Sequence, residues 1–207
     1  MIFEIKPSEN SWIKKIYNES MKDLEKFFEI EVNSPKPKIT LVPNRKTINL
    51  LWNEKTPPWC VAWVWNKNEV YILSPENYEK ESSHKFTKEI YKALLKHELA
   101  HCFINEITNF KKIPPWLNEG ICIYVSGQNA FRKKPSKLEN FLEFYNTHNE
   151  GVYQESGFAI EYLVEEHGKQ KILNLLKKTK DVKNEREFSK VFESIYKFKL
   201  NYKNFNR

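Results

Sequence analysis

The hydrophobic rhythm of the chain begins at Ser11. From there to about Ile30, the apolar residues Ile13, Ile16, Tyr17, Leu24, Phe27 and Phe28 recur at the spacing of one helix face, with Asn10 or Ser11 as N-cap. Before it, residues 2 to 5 alternate weakly, as a short strand would. Ser34-Pro35-Lys36-Pro37 breaks the helical pattern and leads into Ile39-Thr40-Leu41-Val42, a strand-like run ended by Pro43. Thr47 to Trp52 reads as a short helix. After Pro57-Pro58, the segment Trp59 to Trp65 is apolar on both faces, Asn66-Lys67-Asn68 turns the chain, and Val70-Tyr71-Ile72-Leu73 resumes strand character. This pattern predicts a β-hairpin in a sheet whose faces are partly covered.

A polar stretch from Ser74 to Lys85 precedes Thr87, the expected N-cap of a long helix reaching about Asn109. Its Ile90, Leu94, Leu95, Leu99, Cys102 and Phe103 make an apolar surface too wide for a surface helix, which marks it as central. Pro114-Pro115 starts the next helix, carrying Leu117, Glu119, Ile121, Cys122 and Tyr124, and Gly127 closes it. Arg132-Lys133-Lys134-Pro135 reads as a basic loop. Ser136 then caps a short helix through Leu138, Phe141, Leu142 and Tyr145, and Asn146 to Gly151 forms a polar turn. Tyr153 to Glu166 is helical again, with Phe158, Tyr162 and Leu163 on one face and Gly168 past its end. Two amphipathic helices, Lys169 to Lys178 and Asn184 to Tyr196, precede a Lys- and Asn-rich tail. The pattern predicts one α+β domain: a sheet and central helix in an N-terminal lobe of about residues 1–109, and a mainly helical C-terminal lobe of about residues 110–207.

Composition narrows the class. Charged residues are 29% and hydrophobic ones 40%, and 14 Phe, 10 Tyr and 6 Trp stand against 5 Gly, the profile of a folded, aromatic-rich chain rather than a disordered one. There is no run of about 18 apolar residues and no N-terminal apolar stretch of signal-peptide length, so neither a membrane span nor a leader is expected. Cys60, Cys102 and Cys122 are odd in number and lack C-x-x-C spacing, which argues against a disulfide framework and for a reducing, cytoplasmic location. The formal charge of +7 sits in the C-terminal part: residues 169 to 207 hold 12 Lys/Arg against 4 Asp/Glu, leaving 22 against 23 before them. A solvated Lys-rich helix face accounts for this excess more simply than a nucleic-acid partner does.

The chemistry concentrates in His97-Glu98-Leu99-Ala100-His101 and Trp116-Leu117-Asn118-Glu119-Gly120. Residues four apart share a helix face, so the imidazoles of His97 and His101 can reach one metal ion with Glu98 beside them. A catalytic zinc site takes three protein ligands and keeps one position open. Glu119 is the candidate third ligand, because it follows His101 by 18 positions on a helix close enough in the chain to pack against the central one. Glu98, set slightly aside, is placed to act as general base and then acid, and a tyrosine or histidine from the C-terminal lobe is the usual kind of group to hold the developing oxyanion.

These two segments resemble the gluzincin metallopeptidases, most closely the small peptidase MA-like proteins, whose pattern is a helical H-E-L-A-H followed by P-x-W-x-x-E-G. The resemblance extends over roughly residues 35 to 175, including Tyr153-Gln154-Glu155-Ser156-Gly157-Phe158. It implies a zincin-like fold, one zinc ion per chain and hydrolysis of peptide bonds in a peptide or protein substrate. It also implies an aromatic hydroxyl downstream of the Glu ligand, which falls on Tyr153, with Tyr124 and Tyr162 as alternatives. The G-x-M-E-N segment of the aminopeptidase branch is missing, so an aminopeptidase activity is unsupported, and the leading reading is an endopeptidase-like hydrolase.

Three other histidines, His84, His148 and His167, read as structural or exposed, with His167 placed at a helix end where a cation meets the dipole. A protease of the SprT-like kind would use a third His as ligand, and Glu119 argues against it. Trp59, Trp63 and Trp65 could line a groove or belong to the core, and Cys102 and Cys122 read as buried thiols. The reading from a different class is a metal-containing binding or scaffold module whose basic C-terminal helices hold nucleic acid or a protein partner.

Overall fold

In a computed structural model, residues 7–31, 36–144 and 150–206 are described. Among them are eight α-helices and one sheet of three strands, a mixed α+β architecture. The expected strand at residues 2–5, the break at Ser34-Pro35, most of the turn after Tyr145, and His148 lie outside the described residues.

Helix α1 (Ser11–Phe28) starts where Asn10 accepts a hydrogen bond from the Ile13 N–H, and it buries Ile13, Ile16, Leu24 and Phe28. Strand β1 (Lys38–Val42) is followed by α2 (Arg45–Trp52), capped by Asn44. The hairpin strands β2 (Ala62–Trp65) and β3 (Glu69–Leu73) pair antiparallel, with Trp63 opposite Tyr71, while β1 runs parallel to β3, with Thr40 opposite Tyr71. The order β1-β3-β2 makes the sheet mixed and leaves β2 at an edge. Only the second half of the apolar run becomes strand: Pro58 and Trp59 form a turn closed by the Cys60 N–H on the Pro57 carbonyl, and Trp59 is 64% exposed whereas Trp63 is 8% exposed and stacks on Tyr71 at 5.3 Å. That turn is held by Arg45, whose guanidinium donates to Thr56 Oγ1 (3.0 Å) and to the carbonyls of Pro57, Pro58, Cys60 and Glu81.

Helix α3 (Lys88–Ile107) begins at Thr87, whose hydroxyl accepts from the Ile90 N–H, and runs through the middle of the molecule. It packs on α1, on β2 and on α4 (Pro115–Ser126), and Tyr91 Oη donates to the Leu73 carbonyl (3.0 Å), tying the helix to the sheet. The stretch expected to be polar between Ser74 and Lys85 contributes Tyr78 to the core, 2% exposed and packed edge-on against Tyr91. Helix α4 ends at Gly127, in the left-handed region at φ 78°, with its N–H on the Ile123 and Tyr124 carbonyls. Its closest partner is α5 (Glu150–His167), and glycines face this contact from both helices. A Cβ at Gly120 would stand 2.8 Å from Ser156 O, and one at Gly157 would stand 2.3 Å from Ile123 Cγ2.

The sequence pattern fails between Ser136 and Phe144. The expected short helix is absent, because other parts of the chain take its backbone groups. The buried Glu155 carboxylate accepts from the N–H groups of Glu139 and Asn140, both at 2.7 Å. The Asn206 side chain pairs with the N–H and carbonyl of Leu138, and Tyr202 Oη accepts from the Leu142 N–H. Gly151, expected in the following turn, is already helical. Helices α6 (Lys169–Thr179) and α7 (Glu185–Tyr196) match expectation, but the tail is ordered: α8 (Tyr202–Phe205) is capped by Asn201, and Phe205 is buried against Phe141. Among the described residues no helix is long and apolar enough to cross a membrane.

Candidate active site

The site forms where α3 crosses α4. Helical spacing brings His97 and His101 onto one face of α3, with Nε2 of each ring 3.2 Å apart. From α4, Oε2 of Glu119 approaches the same point, 3.3 Å from Nε2 of His97 and 3.8 Å from Nε2 of His101. His97 is 7% exposed and Glu119 is 8% exposed, so these polar atoms face one another away from bulk water. Three donor atoms each about 2.1 Å from a common tetrahedral centre lie about 3.4 Å apart, and the observed spacings fit a cation between them.

Nδ1 of His101 meets two side chains of α4, Asn118 Oδ1 at 3.2 Å and Cys122 Sγ at 3.3 Å. An amide oxygen only accepts, so Asn118 draws the ring proton to Nδ1 and leaves the lone pair on Nε2, the nitrogen facing Glu119. The composition pattern identified neither role. Their signal was positional: Asn118 adjoins Glu119 and Cys122 lies three residues beyond it, on the same helix face. His97, His101 and Cys122 also form a group whose ligand atoms lie within 4.8 Å of one another and could hold a metal ion. Two donor sets therefore share both histidines and differ in Glu119 or Cys122. Burial, and then the charge of Glu119, raise the Cys122 thiol well above its usual range.

Glu98 is 7% exposed, and burial pushes its carboxyl up to about 7, opposed by His101 and assisted by Glu119. Tyr153 stands in the first turn of α5 with the residue 36% exposed, and partial burial of its hydroxyl, then the charges of Glu119 and Glu98, raise its pKa. Arg132, read from sequence as part of a basic loop, follows a 3-10 turn at Gln128–Phe131. Its guanidinium donates to the Tyr153 carbonyl, and burial lowers its pKa while Glu119 raises it. Among the other histidines, His84 contacts the Trp59 carbonyl at 3.0 Å. His167 ends α5, as expected, and packs against Tyr162, Tyr196 and Phe198, with its pKa lowered by burial and then by Lys171.

A mixed α+β fold that brings two imidazoles, a carboxylate and a thiol together across two buried helices defines a candidate metal centre. A family model described as peptidase of plants and bacteria (BSP) matches residues 18–195, and the chain belongs to that family. The match spans the latter part of α1, the sheet, both site helices and nearly all of α7, and it supports peptide or protein substrates. No curated protein and no solved structure matches the chain.

Proposed function

We propose that this peptidase is a zinc-dependent endopeptidase of the gluzincin kind with a zincin-like fold, in which His97, His101 and Glu119 hold the metal. The observation that carries the reading is the convergence of two Nε2 atoms and Oε2 of Glu119 at 3.2–3.8 Å beside the buried carboxyl of Glu98. Glu119 is preferred to Cys122 because it meets both histidines at Nε2, whereas Cys122 meets His101 at the opposite nitrogen.

Zinc in such a site supplies Lewis acidity and lowers the pKa of a coordinated water to about 7. Glu98, buried beside the donor atoms, takes a proton from the attacking water and returns it to the leaving amine nitrogen. Tyr153, kept protonated, donates a hydrogen bond to the oxyanion developing on the scissile carbonyl. The N-terminal lobe supplies the sheet and the histidine helix, and the C-terminal lobe supplies Glu119, Tyr153 and the far wall of the cleft.

Metal analysis and cleavage-site profiling test the reading together. The purified protein should hold about one zinc per chain, and Glu98→Gln should keep the zinc and lose turnover. Zinc retained at full stoichiometry after combined loss of His97 and Glu119 would overturn the ligand set.

A further inference from the structure

We propose that Arg132, with Lys133 beside it, forms a carboxylate-recognising subsite next to the peptidase centre, so that substrates carrying a carboxylate at this end of the cleft are preferred. The inference rests on the reading of the site as a peptidase centre and names the substrate chemistry it selects.

The guanidinium of Arg132 is fixed in place by two neutral oxygens, the Tyr153 carbonyl on α5 and Gln128 Oε1 (3.4 Å) on the 3-10 turn. Among the described residues it makes no ion pair, although it is only partly exposed. Lys134, two residues on, is matched with Glu161 at 3.4 Å. Arg132 and Lys133 line a cleft with Pro135, Gln154 and Glu155. Glu155 does not serve as counter-ion, because one oxygen accepts from two backbone N–H groups and the other from Asn140 Nδ2 at 3.0 Å. Among the described residues no carboxylate bonds this half-buried guanidinium, although the charge of Glu119 acts on it, and its planar fork matches a carboxylate in two-point geometry. Arg132 bonds the backbone of Tyr153, the residue assigned to the oxyanion, and this ties the cleft to the first turn of α5. The carboxylate can be an acidic side chain or the C-terminus of the substrate.

Three versions of one fluorogenic peptide separate these sources: neutral with an amidated C-terminus, the same with Glu substituted at successive positions, and neutral with a free C-terminus. The zinc-loaded protein should favour one carboxylate-bearing version over the neutral amide by about tenfold or more in kcat/KM, mainly through KM. Arg132→Gln should bring that ratio close to one, and Arg132→Lys should restore part of it. Because the ratio is read within each variant, a general loss of stability does not imitate the effect. No preference in the wild type, or a preference that survives Arg132→Gln, would overturn the subsite. If no peptide is cleaved, the endopeptidase reading fails instead. The subsite is then judged by binding of the same labelled peptides to zinc-loaded Glu98→Gln protein, where equal affinity for acid and amide forms counts against it.

Discussion

Oε2 of Glu119 on α4 lies 3.3 Å from Nε2 of His97 on α3. This pair joins the two halves of the motif into one site, since neither helix alone offers more than two of the three donors. Removing Glu119 should therefore act on metal affinity before it acts on fold. Glu119→Ala should weaken zinc binding more than any outer substitution does, measured by competition with a chelator. Cys122→Ser should weaken it far less, and the reverse order would make Cys122 the ligand.

Asn118 reaches His101 through Nδ1 at 3.2 Å and should govern the metal indirectly. Partners of this kind typically contribute 10- to 100-fold in affinity. Asn118→Ala is expected to lose about that much zinc affinity with its melting temperature nearly unchanged. An unaltered affinity would mean that the ring is oriented by Cys122 or by packing alone.

Gly157 and Gly120 set how closely α5 approaches α4. Gly157→Ala would place a methyl group 2.4 Å from Asn129 Oδ1 as well as against Ile123. The helices would have to separate, at a cost of about 1–3 kcal/mol or more. Denaturant unfolding of Gly157→Ala and Gly120→Ala should both show the loss, and Gly127→Ala should show only the smaller strain of a positive φ, since nothing crowds that position.

Glu155 holds the segment between Ser136 and Phe144 by accepting two backbone N–H bonds. Glu155→Ala leaves both donors without their partner and should destabilise the protein by about 2–3 kcal/mol. Hydrogen exchange at the amides of Glu139 and Asn140 should accelerate in this variant, while exchange in α3 should follow only the global change.

The His167 pKa is lowered by burial among aromatic rings and by Lys171, so the folded protein favours the neutral ring. As pH falls below the usual histidine value near 6.5, the unfolded chain takes up a proton that the folded one resists, and stability declines. The wild type should thus lose more of its melting temperature between pH 8 and pH 5 than His167→Gln does. Equal losses in the two proteins would show that the ring is hydrated.

The local signals in this chain are strong. Asn10 and Thr87 start helices and Gly127 ends one as capping chemistry dictates, and the 3.6-residue period alone places His97 and His101 on one face. Proximity along the chain was enough to nominate Glu119. The hairpin was legible for the same reason, since alternation and turn residues act over a few positions, whereas the parallel pairing that makes the sheet mixed joins β1 to β3 across α2 and β2. What depended on distant groups was not legible. Ser136 to Phe144 reads as helical in isolation, yet Glu155, Tyr202 and Asn206 satisfy its backbone from 15 to 68 residues away. The surroundings of His167 and the contacts of Arg132 with Tyr153 and Gln128 likewise arise from elements that meet only on folding.

The sequence by itself thus determined the long helices, several of their caps and the residues able to carry the chemistry, because those follow from short-range periodicity and local hydrogen bonding. Only the tertiary structure decided which nitrogen of each histidine faces the carboxylate, that Asn118 and Cys122 stand behind His101, and that Arg132 lies beside Tyr153. Such relations are set by the crossing of α3, α4 and α5 around Gly120 and Gly157, and helix packing of this kind leaves no periodic trace in the chain.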